Sequence, residues 1–169
     1  MASFDIAHII PLTKGLEALV SPQDFDLVRE FKWVAAKGGR THYASQTIWL
    51  AGGEKTVRLM HRLILAPPKG VFVDHINGNG LDNRRENLRL CSHAQNIRNQ
   101  QPQVGTSSRF KGVWMQRGKW AAMIQHNGDK ITLGRFDCEE RAARQYDRAA
   151  RVFFGRFART NQDLGLFEA

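Results

Sequence analysis

The stretch Val71–Asn99, VFVDHINGNGLDNRRENLRLCSHAQNIRN, decides how the chain is read. A β-branched and aromatic opening ends in Asp74-His75, and a loop of Asn, Gly, Asp and Arg follows. Leu88–Cys91 is a second short apolar run, and a segment of helical character closes the stretch. A strand, loop, strand and helix in that order gather a few polar side chains at one point. Those side chains are Asp74, His75, Asn87 and Asn96.

Asp74 supplies a hard oxygen, His75 a base that titrates near neutrality, and the two asparagines neutral amide oxygens. That mix suits a magnesium-type ion held by few protein ligands and completed by water and phosphate. It does not suit zinc, which prefers Cys and His. Because Asp74 and His75 are adjacent, an extended Val73–His75 sends them to opposite faces. For both to serve one phosphate the chain has to bend there, and Asn77-Gly78-Asn79-Gly80 supplies a turn. Further on, Ser92 with Gln95 three residues later forms a capping box, which puts Asn96 in the second turn of a helix. Asn99 then shares its face and His93 lies one turn earlier. Singly, a DH pair before a Gly-rich turn is a solvated turn, and Asn-rich loops cap themselves. The combination is what points to chemistry.

The order Asp74-His75, Asn87 within ENL, then Asn96 resembles the HNH nuclease motif with its last His replaced by Asn, as in phage and intron homing endonucleases. The MHRLIL run, Met60–Leu65, also looks like the lead-in of phage HNH enzymes. The resemblance implies a ββα-metal site. In it Asp74 and Asn96 hold one divalent ion, magnesium or manganese, and His75 activates the water. Asn87 fixes the loop and accepts a hydrogen bond that orients His75. His93 is the alternative last ligand, closer to the His-terminated variants, although it falls before the position the family uses. His61 has two open roles, support of the site or packing in the core. Arg84, Arg85, Arg89 and Arg98 surround the loop and helix. A charge run is ordinarily a solvated face, yet guanidinium groups beside a phosphate-cutting site suit bidentate phosphate contact, so DNA contacts are expected among these four.

Composition fits a nucleic-acid partner. The 169 residues are 42% hydrophobic and 24% charged, a globular balance, and the net charge is +9. A pI near 10.2 points to a polyanion, since neutralising phosphates releases counterions. Cys91 and Cys138 are the only two cysteines and form no CxxC pair, which suggests neither a disulfide framework nor a structural zinc site. No basic stretch followed by a long apolar run opens the chain, so neither a signal peptide nor a membrane span is expected. The default setting is reducing and cytoplasmic, in a phage or bacterial host cell.

Residues 1–70 read as a small α+β lead-in. Phe4–Leu12 and Leu16–Val20 are expected strands around a Thr13-Lys14-Gly15 turn. Ser21 caps a helix that starts at Pro22, has Asp24 in its first turn and runs to about Phe31. Lys32–Ala36 and Thr41–Leu50 are strands joined by Lys37-Gly38-Gly39-Arg40. A second hairpin through Gly52-Gly53 leads into Thr56–Leu65, which Pro67-Pro68 ends. The polar NQQPQVGTSS run from Asn99 to Ser108 is the linker.

Beyond it, Phe110–Met115, Trp120–Gln125 and Lys130–Phe136 are three expected strands, with an Asn127-Gly128 hairpin turn. Asp137, with Glu140 three residues on, is expected to cap a helix Cys138–Phe154 that Gly155 ends. Ala142, Tyr146, Ala149 and Phe153 form its sheet-facing stripe, and Arg141, Arg144, Arg148 and Arg151 fall largely off it. The run FKGVW, KWAAMI, LGRF, ARQYDRAA and GRFARTN resembles the APETALA2-type domain of plant ethylene-response factors, which also occurs in phage homing endonucleases. The likeness covers about Ser108–Asn161. It implies a sheet lying in the DNA major groove, with Lys111, Trp114, Arg117, Lys119, Trp120 and Arg135 at the matching positions. Trp120 is expected in the core, and only Trp114 or Arg117 exposed. Trp114 and Met115 stand where plant members are rich in Arg, so base preference does not carry over. Between Ser107 and Thr160 there are twelve Lys and Arg against five Asp and Glu, a surplus of seven within the net +9.

The expectation is an α+β chain in three parts. Residues 1–98 form a ββα-metal HNH nuclease domain with its lead-in, 99–107 a linker, and 108–162 a three-stranded antiparallel sheet packed on one helix. It acts as a metal-dependent, site-specific endonuclease on double-stranded DNA, as a monomer or weak dimer. The alternative is a non-catalytic DNA-binding regulator with a decayed nuclease fold.

Overall fold

Alternating apolar residues start the chain as strands. In the computed structural model β1 (His8–Pro11) pairs antiparallel with β2 (Glu17–Val20), Ile9 opposite Leu19, burying Ile10, Ala18 and Val20. The structure describes residues 6–102 and 105–167. Phe4 and Asp5 of the expected first strand, and Gln103 and Val104 of the expected linker, lie outside the described residues. The fold is a mixed α+β one with small sheets and few helices, in two compact units, 1–93 and 94–169.

In the first unit Pro22 opens α1 (Pro22–Arg29), with Ser21 at the cap position. Its hydroxyl makes no bond to its own helix among the described residues; it accepts the N–H of Arg85 at 2.9 Å instead. The helix stops two residues before the expected Phe31, where Trp33 Nε1 donates to the Val28 carbonyl at 2.8 Å and turns the chain inward. β3 (Val34–Gly38), β4 (Thr41–Trp49) and β5 (Lys55–Leu59) form an antiparallel sheet in that order. The expected single element Thr56–Leu65 is two elements, for α2 (Met60–Leu65) begins directly after β5. Met60, His61 and Ile64, its buried residues, recur at helical spacing, and Ala66 ends it in the left-handed region (φ 42°) ahead of Pro67.

β6 (Phe72–His75) pairs antiparallel with β8 (Leu88–Cys91), Asp74 opposite Arg89 and His75 opposite Leu88. Between them β7 (Asp82–Asn83), which the sequence reading leaves inside the loop, pairs in parallel with β2. α3 (His93–Arg98) follows Ser92, and the boundary between the units falls at its first residue. Ile10, Val20, Val28, Trp33, Met60, Ile64, Val73 and Leu88 fill the core beneath the loop.

In the second unit β9 (Val113–Gln116), β10 (Lys119–His126) and β11 (Asp129–Phe136) form an antiparallel sheet with β10 in the middle. α4 (Glu139–Phe154) lays Ala142, Ala143, Tyr146, Ala149 and Ala150 on it. At Gly112 (φ 74°) a Cβ would stand 2.0 Å from the Tyr146 ring, so only glycine lets sheet and helix approach there. The cap of α4 is Cys138, not the expected Asp137, which lies one residue too early and instead pairs with Lys119 at 3.2 Å. Buried Asp147 accepts N–H groups from the Asn161 backbone (2.8 Å), the Asn161 amide (2.8 Å) and the Gln162 backbone (3.0 Å), docking the chain after α4. No helix among the described residues is long and apolar enough to cross a membrane.

Candidate active site

β6 carries Asp74 and His75, both 5% exposed, to its end. The turn that the sequence reading places at Asn77-Gly78-Asn79-Gly80 follows directly on the pair. The strand runs through His75 and the turn follows, with Gly78 N–H donating to the His75 carbonyl at 2.8 Å. Cross-strand pairing sets Asp74 beside Arg89, whose Nε lies 2.8 Å and Nη2 2.6 Å from Oδ2.

His75 sits among rings. His61 meets it edge-on at 4.9 Å between centroids and 85° between planes, and Tyr43 lies 5.7 Å from it and 5.6 Å from His61. Asn83, wholly buried in β7, places its Oδ1 3.4 Å from His75 Nε2, and its Nδ2 donates to the Leu81 carbonyl at 3.1 Å. That second bond fixes which way the amide faces. An amide oxygen only accepts, so the contact to His75 is a hydrogen bond when Nε2 carries the proton; in a neutral ring the lone pair is then on Nδ1.

Burial pushes the His75 pKa below the usual imidazole range, against the Asn83 bond and the charges of Asp74 and Asp82, which favour the cation. The outcome at neutral pH is an uncharged imidazole, the form a general base needs. His61 is driven further, to about 3, first by burial and then by His75 and Arg62. Its Nδ1 is buried without a hydrogen-bond partner among the described residues. Burial and the Asp74 charge raise the Tyr43 hydroxyl.

Asn87 lies across the loop from His75. Its Oδ1 accepts from Asn77 N–H (2.9 Å), its Nδ2 donates to the Asp82 carbonyl (2.7 Å), and its own carbonyl accepts from Ile76 N–H (2.8 Å). Asn77 and Asn79 fold the tip by accepting N–H groups two residues on, at 2.8 and 3.1 Å. A Cβ on Gly80 would stand 2.5 Å from the His42 carbonyl and 2.6 Å from the Tyr43 ring, so glycine is what lets the tip nest on β4.

Three arginines expected near the substrate are tied to carboxylates. Arg84 grips Asp82 through Nε and Nη2, both at 2.7 Å, and its bonds hold the Asp82 carboxyl below the usual range. Arg85 grips buried Asp24 at 2.8 and 2.7 Å, and Arg89 holds Asp74. In the second unit Arg98 stacks over Phe154 at 4.5 Å. Asn96 stands on α3 and His93 opens it.

On the sheet, Trp114, Ala121 and Arg135 form one cross-strand row, with Gln116 and Lys119 in the next. Arg117, Lys119 and Arg135 are exposed and Trp114 is half-buried. Trp120 packs into the core with Phe110 and Phe136. Lys111 turns inward, its ammonium on the carbonyls of Arg98 and Gln100; burial lowers its pKa to about 8.

The donor set bears on which metal fits. No three of His, Cys, Asp and Glu converge among the described residues, so no closed zinc centre is built there. Asp74 is a buried carboxylate of the kind that an oxygen-preferring ion takes while keeping most of its waters.

Buried His75 thus follows Asp74 on a ββ pair whose connecting loop is stapled by asparagine side chains. The model of the HNH endonuclease family matches residues 66–98. The chain is 33% identical over 152 residues to an uncharacterised HNH endonuclease of Acanthamoeba polyphaga mimivirus, covering 88% of this chain and 76% of that one. It is 34% identical over 94 residues to Protein 3.8 of Escherichia phage T7, covering 54% of this chain and 77% of the relative. The chain belongs to the HNH endonuclease family. A 58-residue segment is 55% identical to the APETALA2-like protein 2 of Oryza sativa subsp. indica, covering 32% of this chain and 13% of that protein. No solved structure matches.

Proposed function

We propose that the chain is a homing-type, site-specific endonuclease that hydrolyses phosphodiester bonds in double-stranded DNA, with an APETALA2-type second unit that reads the major groove. The observation that carries this is buried His75, uncharged at neutral pH, next to Asp74 and held by Asn83, Tyr43 and His61. His75 takes a proton from a water molecule, which attacks the scissile phosphorus in line and expels the 3′ oxygen, leaving 5′-phosphate and 3′-hydroxyl ends. Asn87 keeps the loop closed around that base.

HNH nucleases generally use a divalent metal. Here Asp74 is the carboxylate ligand and Asn96 the second one, an assignment that rests on the sequence spacing. A bound Mg²⁺ or Mn²⁺ supplies charge stabilisation to the phosphate and the departing oxygen. Arg89 fixes the direction of the Asp74 carboxylate by gripping Oδ2 through Nε and Nη2. Trp114, Arg117, Lys119 and Arg135 are the side chains the sheet offers to DNA, with Arg98 a further candidate at the end of α3.

The test is conversion of supercoiled plasmid by purified protein. Magnesium-dependent appearance of open-circle or linear DNA that chelator abolishes is the expected result. Tight, salt-sensitive binding with no strand cut on any DNA overturns the reading and favours the regulator.

A further inference from the structure

The second unit carries basic groups on two opposite sides, and the sheet accounts for only one. α4 buries Ala142, Ala143, Tyr146, Ala149 and Ala150 against the sheet, while Arg141, Arg144, Arg148 and Arg151 are all exposed. At 100° per residue these four arginines fall within about 80° of arc on the face turned away from the sheet. Arg141, Arg148 and Arg151 make no ion pair among the described residues. Arg144 reaches only Glu140, at 4.0 Å, and stacks over Phe167 at 4.5 Å. Arg141 with Arg144, Arg144 with Arg148 and Arg148 with Arg151 are like-charge neighbours three or four residues apart, each unfavourable for the helix. The sheet side, by contrast, offers Arg117, Lys119, Lys130 and Arg135 with Asp129 and Asp137 interspersed.

From this we infer that the outer face of α4 is a second duplex-binding surface, so that one molecule holds two DNA segments, one on the sheet and one on the helix. All four groups are guanidinium forks, which suit phosphate oxygens. They stand as two clusters, Arg141 with Arg144 and Arg148 with Arg151. Corresponding members are seven residues apart, about 10.5 Å along the axis, close to the roughly 12 Å width of a B-DNA major groove between its phosphate rows. A rigid helix with fixed spacing matches a regular, rigid polyanion, which is why a duplex is chosen over a flexible acidic chain. The inference rests on the nuclease reading only in taking duplex DNA as the polyanion.

The experiment uses the full chain with chelator present. Beads bearing a short duplex are loaded with protein, and retention of a second, fluorescent duplex is measured beside affinity for one duplex in solution. The variant Arg141→Gln/Arg148→Gln/Arg151→Gln keeps good helix formers at three exposed sites, and an unchanged melting curve verifies its fold. Wild type is expected to retain the second duplex in a salt-sensitive manner. The variant should lose that retention by about tenfold or more while single-duplex affinity stays within about threefold, since three phosphate contacts vanish from one surface only.

Retention unchanged in the variant would overturn the inference, because bridging would then come from self-association or another surface. So would absence of retention by wild type at low salt, or an equal loss of single-duplex affinity in the variant. Lys119→Gln/Arg135→Gln and a plasmid-cutting assay, run in parallel, show whether the sheet and the nuclease readings stand by themselves.

Discussion

His61 offers the sharpest link between structure and pH. It is 6% exposed, and its pKa falls from 6.5 to about 3. Between those values the unfolded chain binds a proton that the folded chain refuses, so stability rises with pH across that window and falls as the medium is acidified from about 6.5 towards 3. The loss is about 1.4 kcal/mol per pH unit once well below 6.5, which makes about 2 kcal/mol at pH 5 relative to pH 7.5. His75, also lowered by burial, adds in the same direction. His61→Phe keeps a ring against Tyr43 and His75 and removes the titrating group together with its unpartnered Nδ1. Hydrogen exchange of peptides covering Met60–His75, recorded at both pH values, reads the stability of this part of the fold. The variant should show a pH dependence smaller than wild type by about 2 kcal/mol. An identical dependence in both proteins would mean that His61 becomes charged in the folded state, and the account of a dry ring cluster around the base would fail.

Two further outcomes follow from single contacts. Asn83→Ala removes the oxygen facing His75 Nε2 and should slow cleavage by about tenfold, or about 1.4 kcal/mol of activation free energy, with DNA affinity within a few-fold. Single-turnover rates beside binding curves measure this, and an unchanged rate would show that the ring is held without Asn83. Asp147→Ala strands two buried N–H donors of Asn161 and frees a third of exposed Gln162, so the second unit should lose about 3 kcal/mol, seen as a lower urea midpoint; a change under 1 kcal/mol would refute the docking role given to that carboxylate.

Local patterns reported the elements well, because short apolar runs bounded by Gly, Pro and Asn leave few alternatives. The paired strands ending at His75 and Cys91, the Pro22 helix start and the three-strand-and-helix segment were all legible. What stayed hidden depends on long-range partners. Asp82-Asn83 is two residues of polar loop by composition and becomes a strand only because Leu19 and Val20 lie alongside. Ser21 reads as a helix cap, yet its hydroxyl meets a backbone group 64 residues away.

The candidate site was legible in the same uneven way. Asp74, His75 and Asn87 announce themselves by order and type, whereas Tyr43 and Asn83 carry no motif of their own and reach His75 only through the folding of β4 and β7. Arg84, Arg85 and Arg89 look like free phosphate hooks in a sequence. Their carboxylate partners include Asp24, 61 residues from Arg85, which no local reading would connect.

The central claim is that His75 is the general base, and His75→Ala tests it most directly, with cleavage rate and DNA affinity measured on one preparation. A fall in cleavage by orders of magnitude with affinity within a few-fold is the predicted result. Equal loss of both, or cleavage that survives the substitution, would contradict it.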